Sequence, residues 1–198
     1  ERSDKMNFFI ADTHIGCINK FENRTLEHDL LLKENWNKHV TNADDIWILG
    51  DLGRIGNNKD NEYLLTILST LKGRKHLILG NHDDIRDLRI RQLFVEICEY
   101  KEIVDNFGGN VHHIVLSHYP ILMWNGQHKG YIHLYGHVHD TFEEKMYQNA
   151  LKELNNMFAY QTQIGKTDCP TAYAWNVGAM KSYMGYTPRT LKEIISAN

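Results

Sequence analysis

Metal-seeking side chains stand in five short segments of this chain: Asp12-Thr13-His14, Gly50-Asp51, Gly80-Asn81-His82-Asp83, Ser117-His118 and Gly136-His137-Val138-His139. Each segment ends an apolar run. Residues at the C-terminal ends of neighbouring strands converge on one edge of a sheet, where open α/β folds place their ligands. Five such ends can enclose two cations, so the pattern predicts a two-metal hydrolase.

Taken singly, the segments say less. Asp12 and His14 are two apart and face one side of a strand, yet a turn aspartate beside an unrelated histidine would read the same. Gly50 permits close backbone approach beside Asp51, whose two oxygens could serve two metals, although an Asp after Gly more commonly caps a helix or closes a turn. Gly80-Asn81-His82-Asp83 is the most informative, because an amide oxygen, an imidazole and a carboxylate follow a strand without interruption. His137 and His139 repeat the two-residue spacing, His118 adds a third imidazole, and neutral imidazole suits Mn, Fe, Ni and Zn. Chance must explain all five segments together.

The elements that position these residues are short apolar or β-prone runs: Phe8-Phe9-Ile10-Ala11, Ile46-Trp47-Ile48-Leu49, His76-Leu77-Ile78-Leu79, His113-Ile114-Val115-Leu116 and Tyr131-Ile132-His133-Leu134-Tyr135. Their lengths fit buried strands. Leu26, Leu30, Trp36 and Val40 after Thr25, and Leu64, Leu65, Leu68 and Leu71 before Gly73, predict covering helices. A third helix is expected over 84–98, from Ile85, Leu88, Leu93, Val95 and Ile97. Residues 142–158 predict a fourth helix with Met146, Ala150, Leu151, Leu154 and Phe158 as its apolar stripe. Further strands are expected around 173–177 and 111–117, and Pro120, Pro170 and Pro188 fall where loops belong. The alternation suggests a layered α/β domain.

Composition sets the outer bounds. The 198 residues suit one domain, and 42% hydrophobic with 24% charged residues is ordinary for a globular chain. Residues 1–5 are polar and precede Met6, so they read as additions before a native start, with 6–198 as a single domain. The net charge of −3, without a Lys/Arg run, gives no extended surface for duplex nucleic acid. Two divalent cations would still attract a phosphate locally. Cys17, Cys98 and Cys169 form no Cys-x-x-Cys pair and fit a reducing cytoplasm. No apolar stretch is long enough to cross a bilayer, and no secretory signal is expected.

In this order the segments resemble the calcineurin-like metallophosphoesterase superfamily, in the small bacterial and phage type, whose pattern reads D-x-H, G-D, G-N-H-[D/E], H and G-H-x-H. The resemblance runs from Asp12 to His139, and Trp175-Asn176-Val177-Gly178 is similar to a closing segment of many small members. It implies an α/β four-layer α/β/β/α sandwich with two central, mainly mixed sheets. It further implies one metal on Asp12, His14, Asp51 and His139, and a second on Asp51, Asn81, His118 and His137, with Asp51 as the bridge. Nitrogen and oxygen donors without thiolate favour an open hydrolytic centre over a closed structural zinc site. Two divalent ions are implied, Mn²⁺ first, with Fe, Zn or Ni as alternatives.

The activity implied is phosphoester hydrolysis by a hydroxide shared between cations about 3.5–4 Å apart. His82 would donate the leaving-group proton, and Asp83 would orient His82. Phosphodiesters are preferred to monoesters, and the expected partner is a small phosphoester, nucleotides included. The chain departs from the protein phosphatases of the superfamily after Asp51, where Leu52-Gly53-Arg54 replaces V-D-R-G. Arg54 is therefore a candidate substrate contact on its position alone. Trp124, Asn125, His128 and Lys129 could border the centre, but core or loop packing explains each as well. His28, His39, His76, His112, His113, His128 and His133 match no motif position and are expected to be structural or exposed. Competing readings are a monoesterase, a nuclease of the same superfamily, or a metal-binding scaffold without catalysis; His82 argues against the last.

Overall fold

The computed structural model describes residues 5–18, 24–53, 58–166 and 168–198. Arg54 lies outside these described residues. Two mixed sheets and their covering helices form an α/β sandwich. The first sheet has strand order β4-β3-β2-β1-β9, built from β1 (Asn7–Ile10), β2 (Asp45–Leu49), β3 (Arg74–Ile78), β4 (Phe94–Cys98) and β9 (Arg189–Thr190). Strands β1 to β4 run parallel, and β9 closes the edge antiparallel to β1. The second sheet has order β5-β6-β7-β8, from β5 (Tyr100–Phe107), β6 (Asn110–Ser117), β7 (Ile132–Tyr135) and β8 (Ala174–Asn176).

Alternation along the strands assigns the faces. Ile114 and Leu116 of β6, with Ile132 and Leu134 of β7, share one core with Phe9, Ile10, Ile46 and Ile48 of the first sheet. Val115 and Tyr135 point the other way, into a smaller core with Trp124, Tyr147 and Leu151. Continuous apolar runs in β1 and β2 follow from burial on both faces, as parallel sheets require. Helix α1 (Leu26–His39) buries Leu32 and Trp36, four apart on one face, and the Trp36 indole donates to the Lys72 carbonyl at 2.8 Å. Helix α2 (Asn58–Leu68) adds Leu64, Ile67 and Leu68 to the same core.

Two expectations change here. Instead of a helix over 84–98 there is one turn, α3 (Leu88–Arg91), followed by β4. Phe94, Val95 and Ile97 are β-prone, and pairing with the open edge of β3 supplies backbone partners that imperfect helical periodicity could not match. The fourth helix, α4 (Phe142–Gln163), exists but is rotated relative to its expected stripe. Tyr147, Leu151, Leu154 and Phe158 face the smaller core, while Met146 and Ala150 face outward. The hairpin of β5 and β6 turns through Gly108 and Gly109, both at positive φ, the conformation of the preferred two-residue hairpin turn. Helix α5 (Leu191–Ala197) follows β9 directly and buries Leu191 and Ile194. Among the described residues no helix is long and apolar enough to cross a membrane.

Candidate metal centre

The segments after β1, β2, β3, β6 and β7 meet at one edge, where the two sheets are stitched together. Asp12 N–H donates to the Gly50 carbonyl at 3.0 Å, His14 N–H to Asp51 O at 2.9 Å, and Gly136 N–H to His118 O at 2.9 Å. Ala11 bridges to Gly178, beyond β8, and so joins β1 to the second sheet.

Backbone conformation marks these residues independently of any motif. Six described residues other than glycine have positive φ, and five of them are Asp12 (51°), His14 (44°), Asp51 (52°), His137 (69°) and His139 (45°). Side chains disfavour this left-handed region, at a cost on the order of 1–3 kcal/mol each, and such strain gathers at functional sites. Two glycines serve close approach instead. A Cβ on Gly50, itself at φ 82°, would lie 2.3 Å from His118 Nδ1, and one on Gly136 would lie 2.7 Å from Asp12 Oδ2.

The side chains form two triplets, Asp12 with His14 and His139, and Asp51 with His118 and His137, each with ligand atoms within 4.8 Å of one another. Asp51 stands between them. Its Oδ2 is 3.9 Å from His14 Nε2, and its Oδ1 is 3.5 Å from His118 Nε2. Asn81 joins the second triplet through Oδ1, 3.0 Å from His118 Nε2. In the first triplet His14 and His139 bring their Nε2 atoms to 3.3 Å. His118 Nδ1 lies 2.8 Å from the Leu49 carbonyl, which holds the proton on Nδ1 and leaves the Nε2 lone pair toward Asp51.

Electrostatics favours cations here. Burial, then the facing His139, lowers His14 to about 3, and burial also lowers His137, so both imidazoles are neutral donors at neutral pH. Burial raises Asp12 well above the usual carboxylate range against the His137 N–H that donates to it, and the Asp51 and Asp83 charges raise it further. Among the described residues no lysine or arginine pairs with Asp12 or Asp51; their close charge partners are His14 and His118. Crowded carboxylates, neutral imidazoles and an amide oxygen fit divalent ions of the Mn, Fe or Zn kind.

His82 is exposed at the mouth, its ring centroid 6.3 Å from that of His14, while its N–H donates to Asp51 Oδ1 at 3.0 Å. Asp83 has a task that was not expected of it. Its carboxylate accepts N–H groups of Asp51 (2.9 Å), Leu52 (2.8 Å) and Gly80 (2.8 Å), clamping the Asp51 loop to the Gly80 turn. Trp124 belongs to the core under α4, donating to the Tyr131 carbonyl, and Asn125 donates to Glu102. His76 and His133 are buried with hydrogen-bond partners, as structural histidines should be.

Two residues escaped the sequence reading, and a third, Asn176, was named there without a role. Tyr119 is half-exposed, with its ring 4.5 Å from that of His137 and 5.1 Å from that of His118. Its position directly after His118 was the available signal. Arg24 is buried behind the centre and paired with Asp29 at 2.9 Å; Asp29 also accepts the Gly16 N–H. Asn176, in the closing segment, reaches the carbonyl of His139.

No protein-family model matches the chain. The gene 66 protein of Mycobacterium phage D29 is 33% identical over 155 residues, covering 67% of this chain and 77% of that protein. The chain belongs to the family of the mycobacteriophage gene 66 proteins. A second gene 66 protein, from Mycobacterium phage L5, is 31% identical over 161 residues, covering 67% of this chain and 76% of its own. The gene 66 family fold is shared with AQ665 from Aquifex aeolicus, described as a protein of unknown function, at a TM-score of 0.66 and 24% identity over 98% of this chain and all of the other. Phosphopantetheinyl hydrolase of Mycobacterium tuberculosis aligns at a TM-score of 0.33 and 14% identity, over 59% of this chain and 43% of its own, too slight a likeness to bear on function.

Proposed function

We propose that this gene 66 family protein is a binuclear metal-dependent phosphoesterase of the calcineurin-like metallophosphoesterase type, acting on small phosphodiesters in preference to monoesters. The observation that carries the reading is Asp51, whose Oδ1 faces His118 of its own triplet and whose Oδ2 faces His14 of the other. One ion would be held by Asp12, His14, Asp51 and His139, the other by Asp51, Asn81, His118 and His137. Mn²⁺ is the first choice, with Fe, Zn or Ni able to use the same donors. Two such ions, when bound, lower the pKa of a shared water and neutralise charge on phosphoryl oxygens.

The protein's own groups supply the rest. Buried Asp12 and His14 form the floor, Tyr119 stands beside His137, and exposed His82 would give a proton to the leaving oxygen. Asp83 keeps the Asp51 and Gly80 loops at fixed spacing. A nucleotide would meet Tyr119 through its base, since stacking on an aromatic face suits any base.

The test is hydrolysis of a bis-aryl phosphate and an aryl monophosphate by protein stripped with chelator and reloaded with Mn²⁺, alongside measured metal content. Diester turnover that needs metal and exceeds monoester turnover supports the reading. Two bound ions without turnover of either ester would overturn it in favour of a scaffold.

A further inference from the structure

Asn176, itself buried, occupies the middle of a hydrogen-bonded relay that neither triplet contains. It ends β8, opposite Tyr135 of β7. Its Nδ2 donates to the carbonyl of His139 at 3.2 Å and to Glu144 Oε2 at 3.3 Å, and its Oδ1 accepts the Gly178 N–H at 2.9 Å. Glu144, in the first turn of α4, is fixed from the other side: the Tyr135 hydroxyl donates to its two oxygens at 3.1 and 3.0 Å. Gln148 in turn donates to the Tyr135 hydroxyl at 2.7 Å, and the Tyr183 hydroxyl donates to the Asn176 carbonyl. The Asn176 amide thus has a partner for each hydrogen and for its oxygen.

A weld between β8 and α4 would need only the bond to Glu144. The other hydrogen instead reaches a carbonyl 37 residues away, at a position held in left-handed backbone. In that conformation the peptide following His139 has few alternatives, and the direction of the Cα–Cβ bond that carries the imidazole follows from it. The same segment braces Asp12. Ala11 N–H donates to Val177 O and Ala179 N–H to Ala11 O, both at 2.8 Å, while Gly178 is narrow enough to lie against the Asp12 carboxylate.

We infer that Asn176, aimed by Glu144, is a positioning residue for the Asp12/His14/His139 ion: it holds the His139 backbone so that the imidazole meets its metal. The inference rests on the metal-binding reading of the two triplets. It also gives α4 a task, because the helix anchors one ion site through its first turn. Outer partners of metal ligands commonly change metal affinity by about 10–100-fold when removed.

The measurement is Mn²⁺ binding to the full chain by calorimetry, with the electron paramagnetic resonance of the coupled pair and the thermal midpoint of the metal-free protein. Asn176→Asp keeps the volume but removes both donated bonds and sets a carboxylate against Glu144. One of the two ions should bind about 10–100-fold more weakly, with loss of the coupled signal. In the double variant Asn176→Asp/Glu144→Gln, the glutamine can donate to the new carboxylate. The metal-free midpoint should recover, whereas the weak ion should stay weak, because the donor to His139 is still missing. Recovery of both together would make Asn176 a packing residue and overturn the inference, as would unchanged affinity in Asn176→Asp. Should Asn176→Asp not fold, Glu144→Gln alone should weaken the same ion by a few-fold, and affinities unchanged from wild type at both sites would overturn the inference. Wild-type protein that takes up no Mn²⁺ would instead remove the metal reading itself.

Discussion

The two triplets are built from the same residue types but held differently. Asp12 and His14 are buried, backed by Arg24 and Asp29, and tied through His139 to Asn176 and α4. The second triplet pairs buried Asp51 and His118, the latter locked by the Leu49 carbonyl, with half-buried His137, just as half-buried His139 completes the first, and it continues to exposed Asn81 and Tyr119. The first triplet is thus braced from behind, whereas the second borders exposed side chains. Equal burial is reached with unlike support, a buried ion pair and a relay to α4 on one side and a single backbone carbonyl on the other.

Asp51 should erase the difference, since it serves both triplets. Asp51→Asn is expected to lose both ions and to lower turnover by on the order of 10³-fold or more, several kcal/mol of transition-state stabilisation. Metal analysis and diester hydrolysis check it. His82→Ala sharpens the contrast from the substrate side: turnover should fall by about 10²–10⁴-fold while both ions remain. Equal metal loss in these two variants would refute the assignment of roles.

A selective break is available at Gly50. Gly50→Ala drives a Cβ into His118 Nδ1, so the ion on Asp51, His118 and His137 should be lost before the other, with a stability loss of about 1–3 kcal/mol. Urea unfolding and metal titration read both quantities.

His133, which belongs to neither triplet, supplies the control with the smallest effect on them. Burial lowers it to about 4 from an ordinary 6.5, so the unfolded chain takes up its proton first as pH falls. Its share of the stability, about 3 kcal/mol, should be fully present above about pH 6.5 and lost as pH falls to about 4, while His14, lowered to about 3, adds its own loss over the same range. His133→Gln should lessen this slope in chelator-treated protein, leaving the part that belongs to His14, and should leave the metal content at neutral pH unchanged.

How much of this was readable in advance follows from what is local. An apolar run ending in Asp, Asn or His is visible in the chain, so the strand ends and the candidate ligands could be named before their geometry was known. The choice between a helix and β4 depended on the vacant edge of β3, far away in sequence. The phase of α4 turned on whether Tyr147 or Met146 met β7, a matter of packing and not of periodicity. Asp83 stands beside His82 in the chain, yet its hydrogen bonds run to the Asp51 loop.

The left-handed backbone at Asp12, His14, Asp51, His137 and His139 sets folding and chemistry against each other at single positions. Glycine at any of the five would relax the main chain and delete a metal donor in one step. A library of variants sorted only for heat resistance would therefore enrich glycine at these five places, and the toughest survivors would be the most thoroughly inert.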